Sequence, residues 1–294
     1  MSFEEHKLNN IKVKPVVEVI EGGSEGSIKG HQLFNLKNWI CYISARKKSG
    51  KTSLISNIID KTTSKRTTIW LFCSTYKIDK TWIEVVKGLK AKGYIVNCFE
   101  SIVDGSGKKG INNLEIVLDD LAKGDEDNFK VIKKEDEPEE FVDRFGVMRK
   151  KGMGSIFKAK TSPKKRKNKI QVASNLFIID DLPQQLKNPA VDRLCKTHRH
   201  SNSNVILSSQ YCKDLNPCSI TQIDYLICFK GYNDEKMEHL HKILDLSIPF
   251  PLFHSIYNHC CSEDFHFMNL NVRTEDIRKN FNTAITYDLP EREF

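Results

Sequence analysis

Short continuous apolar runs alternate along this chain with stretches in which apolar residues recur every three or four positions. The first pattern is typical of strands buried on both faces of a parallel sheet, and the second of amphipathic helices. The runs predict strands at Trp39–Ile43, Thr67–Cys73, Tyr94–Phe99, Leu176–Asp181, Asn204–Gln210 and Asp224–Lys230. The periodic stretches predict helices from near Ser53 to about Lys61–Lys65, over Tyr76–Lys92, at about Asn188–Arg199 and over Asp234–Leu246. This alternation predicts an α/β fold, with a mostly parallel central sheet flanked by helices and joined by right-handed crossovers.

The two ends of the chain depart from this alternation. Residues 1–37 contain one alternating segment, Ile11–Ile20, and a Gly/Ser-rich turn region, which predict an edge strand and a linker. Residues 251–294 are rich in aromatic side chains and contain one more strand-like run, Phe265–Leu270. We therefore expect a core over residues 38–250, an N-terminal extension and linker over 1–37, and a C-terminal extension over 251–294.

Residues 104–171 interrupt the core as a charged insertion. Asn112–Ala122 predicts an amphipathic helix, after which the chain is acidic and then basic. We expect this insertion to be partly disordered, because it has too little apolar surface to offset the entropy of ordering. Arg144–Lys169 contains eleven Lys and Arg residues and no acidic residue, which fits either a nucleic-acid contact or a solvated loop. Pro163–Lys169 has the composition of a nuclear-localisation signal, so nuclear import stays open as a hypothesis.

Composition narrows the class of protein. The chain has 294 residues, 39% of them hydrophobic, a formal net charge of +8 and nine cysteines. No apolar run approaches the ~18 residues of a membrane span. The polar start, MSFEEHKLNNIKVKP, lacks the basic and apolar regions of a secretory signal. An odd number of scattered cysteines suits reduced thiols. We therefore expect an intracellular protein that is not secreted and has no transmembrane segment.

The strand at Trp39–Ile43 leads into a basic loop, ARKKSGKT, that precedes a helix. This order matches the phosphate-binding P-loop, whose backbone N–H groups wrap a triphosphate at a helix N-terminus. In that site Lys51 reaches the β- and γ-phosphate oxygens and the Thr52 hydroxyl ligates Mg²⁺. Ala45 replaces the first glycine of the motif, which costs little unless that position needs a positive φ. The residues predicted to bind ATP are Ala45, Arg46, Lys47, Lys48, Ser49, Gly50, Lys51, Thr52 and Ser53.

Two later strands end in polar residues that suit ATP hydrolysis. The run LFIIDD ends in Asp180 and Asp181. In a P-loop ATPase the first acid holds Mg²⁺ and the second polarises the attacking water. Thr52 and Asp180 are therefore the predicted metal-binding residues, and Asp181 is a predicted catalytic residue. Gln210 ends the strand at Asn204–Gln210, where it could contact both the γ-phosphate and the water.

The quoted motifs, together with the blocks WLFCSTYKIDKTW, THRHSNSNVILSSQY and IDYLICFKG, resemble those of a known family. The chain is similar to the genome-packaging ATPases of double-stranded-DNA viruses and virophages, a branch of the FtsK/HerA superfamily. This resemblance implies a RecA-like P-loop NTPase core that assembles into a homo-oligomeric ring and uses ATP to move double-stranded DNA into a preformed capsid. It also implies capsid or portal-vertex proteins and membrane-associated assembly proteins as partners, and a cytoplasmic virus factory or the virion as the location.

A ring motor of this family also uses an arginine inserted from the neighbouring subunit. Arg199 is the first candidate for this catalytic role and Arg193 the second. Relatives often carry an arginine shortly before the strand that corresponds to IDYLICFKG, whereas Ser219–Gln222 has none here. The assignment of the arginine therefore stays open.

Alternative functions and an alternative metal site also stay open. The same motifs fit a helicase or DNA translocase of a mobile element, and a non-motor protein that binds nucleotide to hold an assembly together. A group of histidines and cysteines near the C-terminus matches no paired zinc-ligand spacing, which favours ordinary core and surface positions. These residues are His254, His259, Cys260, Cys261 and His266.

Overall fold

The computed structural model describes residues 3–10, 28–105, 110–123, 140–142, 148–150, 170 and 172–287. The predicted edge strand at Ile11–Ile20 lies outside these residues, as does the basic cluster Pro163–Lys169. Most of the insertion over residues 104–171, which was predicted to be partly disordered, also lies outside the described residues. The chain forms two compact units, one of Met1–Leu114 with Ile170–Phe294 and the other of Glu115–Lys169.

The centre of the first unit is a parallel sheet of six strands, in the order β11-β2-β10-β9-β3-β4. These strands are β2 (Ile40–Ser44), β3 (Thr68–Cys73), β4 (Ile95–Phe99), β9 (Asn175–Asp180), β10 (Ser203–Ser209) and β11 (Tyr225–Phe229). Every residue of β2, β9, β10 and β11 is buried, as expected for strands covered on both faces. The predicted α/β fold with a mostly parallel sheet and flanking helices is confirmed.

Helices alternate with the strands, and α2, α4 and α6 begin at side-chain caps. They are α1 (Lys51–Thr62), α2 (Lys80–Ala91), α3 (residues 113–123), α4 (Pro189–Thr197), α5 (Pro217–Ile220), α6 (Asp234–Ile243) and α7 (Phe250–Cys260). The sequence predicted a helix from Tyr76, but α2 begins at Lys80 because the Asp79 side chain accepts a hydrogen bond from the Thr81 N–H at 2.7 Å. Apolar side chains of α1 and α2 pack in one cluster against the sheet.

Four further strands continue the sheet beyond β11 in antiparallel pairs. They are β12 (Phe267–Asn271), β13 (Ile277–Lys279), β14 (Thr283–Tyr287) and, at the outer edge, β1 (Phe3–Lys7). The run predicted from Phe265 thus forms a strand that starts two residues later. The polar segment Phe3–Lys7 was not predicted as a strand; it becomes one by pairing with β14. Residues from both ends of the chain therefore share the sheet with the core.

Two short hairpins complete the described structure. In the first unit, β5 (Val103–Asp104) pairs with β6 (Ile111–Asn112). In the second unit, β7 (Glu140–Val142) pairs with β8 (Met148–Lys150). The predicted helix at Asn112–Ala122 corresponds to α3.

A buried carboxylate joins two strands of the parallel sheet at their N-terminal ends. Asp224 is 1% exposed, and its Oδ2 accepts a hydrogen bond from the Ile40 N–H at 2.9 Å. Its Oδ1 lies 2.6 Å from Nη2 of Arg273 and 3.7 Å from Nη2 of Arg199. Asp224 therefore links the start of β2, the start of β11 and the turn after β12.

We expect Asp224→Asn to lower the free energy of unfolding by about 1–3 kcal/mol, because the buried carboxylate loses its ion pair with Arg273 while the shape of the side chain is kept. Asp60→Asn is the matched control, since Asp60 forms a 2.9 Å ion pair with Lys92 in which both side chains are about two-fifths exposed. That surface change should cost less than ~1 kcal/mol. Urea unfolding of both variants measures the difference, and equal losses would contradict the role given to Asp224.

Candidate active site

The loop between β2 and α1 has the backbone shape that wraps an anion. Lys48 and Gly50 have positive φ values of 64° and 90°, which turn the chain sharply before α1 begins. A Cβ on Gly50 would lie 3.2 Å from the Phe265 ring, so glycine is needed both for its φ and for the close approach. Ala45 is buried and its φ is not positive, so alanine fits where the motif usually has glycine.

The N-terminus of α1 carries no acidic residue in its first turn, and its cap, Gly50, provides no side-chain hydrogen bond. The first N–H groups of a helix have no partner within the helix and lie at the positive end of its dipole. In the same loop the Ser49 hydroxyl is buried, and no described residue forms a hydrogen bond with it. These unpaired donors suit a phosphate group.

Lys51 lies between two carboxylates that come from the end of β9. Its Nζ is 2.6 Å from Oδ1 of Asp180 and 2.6 Å from Oδ1 of Asp181. Burial alone would lower the pKa of Lys51, but the two carboxylates outweigh it and raise that pKa. Lys51 therefore stays protonated, and its ammonium group balances the negative charge at the end of β9.

Asp180 is held rigidly from several elements. Its carboxylate is fully buried, and Oδ2 accepts a hydrogen bond from the Trp82 indole N–H of α2 at 2.9 Å. Oδ1 also accepts a hydrogen bond from the Ser208 hydroxyl of β10. These contacts fix the orientation of Asp180 before any ligand binds.

Asp181 is positioned differently from its neighbour. It follows the last residue of β9 and has a positive φ of 54°, which directs its carboxylate toward Lys51. Its side chain is 37% exposed, whereas that of Asp180 is fully buried. One carboxylate is thus fixed in the protein interior and the other faces the solvent of the cleft.

A cavity of about 600 Å³ lies over the loop and the carboxylate of Asp181. Asp181, Gln210 and Thr52 line it, together with Phe265 and Ile78. A neighbouring cavity of about 550 Å³ shares Arg46, Asp181 and Gln210 with the first. The ends of β2, β9 and β10 thus open on one cleft, as expected for the carboxyl ends of parallel strands.

The structure brings most of the predicted site residues together. Residues 45–48 and 50–53 line the larger cavity, and Gln210 directly follows the last residue of β10. Asp180 lies beneath them through its contact with Lys51. The predicted groups for phosphate, metal and water therefore share one site.

Arg199 lies away from this site within the chain. It precedes β10, whereas Gln210 follows it, so the two residues occupy opposite edges of the parallel sheet. The neighbouring His198 is buried, and its ring nitrogens lie 2.8 Å from the Cys195 carbonyl oxygen and 2.9 Å from that of Asn38. His198 therefore anchors the end of α4. A role for Arg199 or Arg193 in the site of a neighbouring subunit stays a prediction.

Sequence reasoning missed Trp82 and Ser208 as partners of Asp180. Trp82 shares a helical period with Val85 and Leu89, so its pattern indicates only a core position. Ser208 offered a weak signal, because it is a hydroxyl that directly follows the apolar residues Val205–Leu207 in a strand that continues the predicted buried run. Nothing in the local pattern could show that both side chains reach the same carboxylate.

The described part of the chain contains no group of three or more His, Cys, Asp or Glu side chains arranged to hold a metal ion. None of its helices combines the length and apolar character needed to cross a lipid bilayer. Cys260 and Cys261 are buried free thiols, and His259 lies 2.8 Å from Glu5.

No protein-family model and no curated protein matches this chain. Among solved structures, it is similar to the genome-packaging NTPase B204 of Sulfolobus turreted icosahedral virus 2 in complex with ATP-gammaS, with 16% identity and a TM-score of 0.44 over 82% of this chain and 96% of that one. It is similar to B204, the DNA-packaging ATPase of Sulfolobus turreted icosahedral virus, with 16% identity and a TM-score of 0.48 over 87% and 100%. The cytoplasmic domain of the Type VII secretion ATPase EccC of Thermomonospora curvata is similar at 12% identity, with a TM-score of 0.42 over 87% of this chain and 26% of that one.

Proposed function

We propose that this protein hydrolyses ATP and uses the energy to drive double-stranded DNA into a viral capsid. The observation that carries the hydrolysis is the position of Lys51, which lies at the N-terminus of α1 within 2.6 Å of both Asp180 and Asp181. The DNA substrate and the capsid are inferred from the resemblance of the sequence blocks THRHSNSNVILSSQY and IDYLICFKG to those of packaging ATPases.

ATP binding in this proposal exchanges the partners of Lys51. The triphosphate lies at the N-terminus of α1, where unpaired N–H groups and the Ser49 hydroxyl donate hydrogen bonds to its oxygens. Its negative charge competes with Asp180 and Asp181 for the Lys51 ammonium group, which turns to the β- and γ-phosphate oxygens. The exchange keeps the charge of Lys51 paired and frees the exposed carboxylate of Asp181.

Thr52 and Asp180 are the residues that would hold Mg²⁺. The Thr52 hydroxyl lies in the first turn of α1 beside the cavity, and Asp180 already carries a cationic partner at 2.6 Å, so both fit a divalent cation. When bound, Mg²⁺ neutralises charge on the phosphate oxygens. The contacts of Trp82 and Ser208 keep Asp180 oriented for this role.

Asp181 and Gln210 supply the groups that act on water. Once Lys51 has turned away, Asp181 accepts a hydrogen bond from a water and orients its oxygen toward the γ-phosphorus. As the water oxygen attacks the γ-phosphorus, the bond between that phosphorus and the β,γ-bridging oxygen breaks, and this oxygen stays with ADP. Asp181 accepts the water's proton. Gln210 lines the same cavity and contacts the γ-phosphate or the water, so its contact changes when phosphate leaves.

Assembly into a ring would complete each site with an arginine from the neighbouring subunit, for which Arg199 remains the first candidate and Arg193 the second. Arg199 is 53% exposed and lies 3.7 Å from Asp224, whereas Arg273 lies 2.6 Å from the same carboxylate. Arg199 can therefore leave Asp224 without leaving that buried charge unpaired.

We expect Lys51→Ala to weaken ATP binding by about 10- to 100-fold, because it removes a charge-assisted hydrogen bond to the phosphates. Lys61→Ala in the last turn of the same helix is the control and should bind ATP normally. Equilibrium dialysis with labelled ATP measures both variants. Normal affinity in Lys51→Ala would contradict the phosphate site.

We expect Asp181→Asn to lower the rate of ATP hydrolysis by about 100-fold or more while ATP binding changes little, because the amide cannot accept the water's proton. Asp245→Asn is a matched control, since Asp245 is exposed and has a φ of 52°, close to the 54° of Asp181. Asparagine tolerates this backbone conformation, so a difference between the variants reports on the carboxylate.

The same variants test the coupling to DNA. Duplex DNA should stimulate ATP hydrolysis by the wild type, and the wild type should displace a third strand from duplex DNA in an ATP-dependent manner that Asp181→Asn abolishes. Strand separation on a forked duplex, without displacement of the third strand, would favour a helicase. Hydrolysis that does not respond to DNA and displaces nothing would contradict a DNA motor and favour a nucleotide-dependent assembly protein.

A further inference from the structure

Phe265 is a large apolar side chain that remains exposed beside the candidate phosphate site. It is 68% exposed and lies in the turn between α7 and β12. Its ring lines the larger cavity together with the loop residues, and a Cβ on Gly50 would lie 3.2 Å from its Cδ1. An aromatic ring therefore lies next to Gly50, the residue that caps α1, where the phosphates are proposed to bind.

The backbone holds Phe265 in this position. Its φ is +64°, a conformation that costs a bulky residue about 1–3 kcal/mol. The two residues that follow it are held by hydrogen bonds, because the His266 N–H donates to the Glu263 carbonyl oxygen at 3.4 Å and the Phe267 N–H donates to Asn280 Oδ1 at 3.2 Å. The ring is thus held at the edge of the cleft by the turn that precedes β12.

We propose that Phe265 is the surface on which the base of the bound nucleotide stacks. This inference rests on the proposed function, because it takes the triphosphate to lie on the loop that ends at Gly50. In a nucleotide whose phosphates occupy that loop, only the ribose separates the phosphates from the base. A flat apolar ring that is exposed beside the loop can therefore stack on the face of the base.

A second apolar side chain supports an apolar subsite in this cavity. Ile78 is 80% exposed and lines the same cavity as Phe265. Covering such side chains with a ligand removes apolar surface from water, which favours binding. Stacking does not depend on the hydrogen-bonding edge of a base, so Phe265 should contribute to the binding of adenine and guanine nucleotides alike.

Calorimetry on the full chain with ATPγS, GTPγS and inorganic tripolyphosphate tests the proposal. Phe265→Ala should weaken ATPγS and GTPγS binding by about 5- to 150-fold, the equivalent of one base–aromatic stack. Tripolyphosphate has no base, so its affinity should stay within about twofold of the wild type. Phe265→Tyr, which keeps the aromatic face, should retain the wild-type affinity for all three ligands.

Ile95→Ala is the control for loss of an exposed apolar side chain, since Ile95 is 58% exposed and lies on the edge strand β4. It should not change any of the affinities. The thermal unfolding temperature and the oligomeric mass of each variant are measured in the same samples. If Phe265→Ala does not fold, the comparison of Phe265→Leu with Phe265→Tyr replaces it, because leucine keeps apolar volume but loses the flat face.

Three results would overturn the proposal. One is unchanged ATPγS affinity in Phe265→Ala, and another is an equal loss for ATPγS and tripolyphosphate, which would make the ring a support for the phosphate loop. The third is a loss that occurs only together with a lower oligomeric mass, which would place Phe265 at a contact between subunits. Failure of the wild type to bind either ATPγS or tripolyphosphate would instead contradict the proposed function itself.

Discussion

The structure of this site depends on the balance of charge between one ammonium group and two carboxylates. Asp180 is fully buried, and an unpaired charge there would be costly. Lys51 supplies the counter-charge at 2.6 Å and bridges to Asp181 at the same distance. A buried carboxylate whose counter-ion is the first residue of α1 couples the N-terminus of that helix to β9, so a ligand that attracts Lys51 would change both.

The topology of the sheet brings these groups together. β2, β10 and β9 are adjacent and parallel, so the loop before α1, Gln210 and the two aspartates meet at one edge. Asp224 links β2 to β11 at the opposite edge, where Arg199 also lies. One edge therefore carries the proposed chemistry, and the other carries the ion pairs of Asp224 with Arg273 and Arg199.

The sequence predicted those parts of the fold and site that local pattern determines. Continuous apolar runs predicted β2, β9, β10 and β11, and the periodic stretch from near Ser53 predicted α1, which begins two residues earlier, at Lys51. The local sequence pattern could not predict contacts between segments that are distant in the chain. Trp82 has the spacing of a core residue, and only the packing of α2 brings its indole to Asp180. The polar strand β1 likewise forms because it pairs with β14. Phe265 was predicted to lie in a strand, but it lies in a turn with a positive φ.

The most direct test of this account is a crystal structure of the full chain with Mg²⁺ and a non-hydrolysable ATP analogue. The account predicts that Lys51 Nζ contacts the β- and γ-phosphate oxygens and no longer contacts Asp181, whose carboxylate then faces a water beside the γ-phosphate. A nucleotide bound elsewhere, or one bound on the loop while Lys51 remains between Asp180 and Asp181, would contradict it.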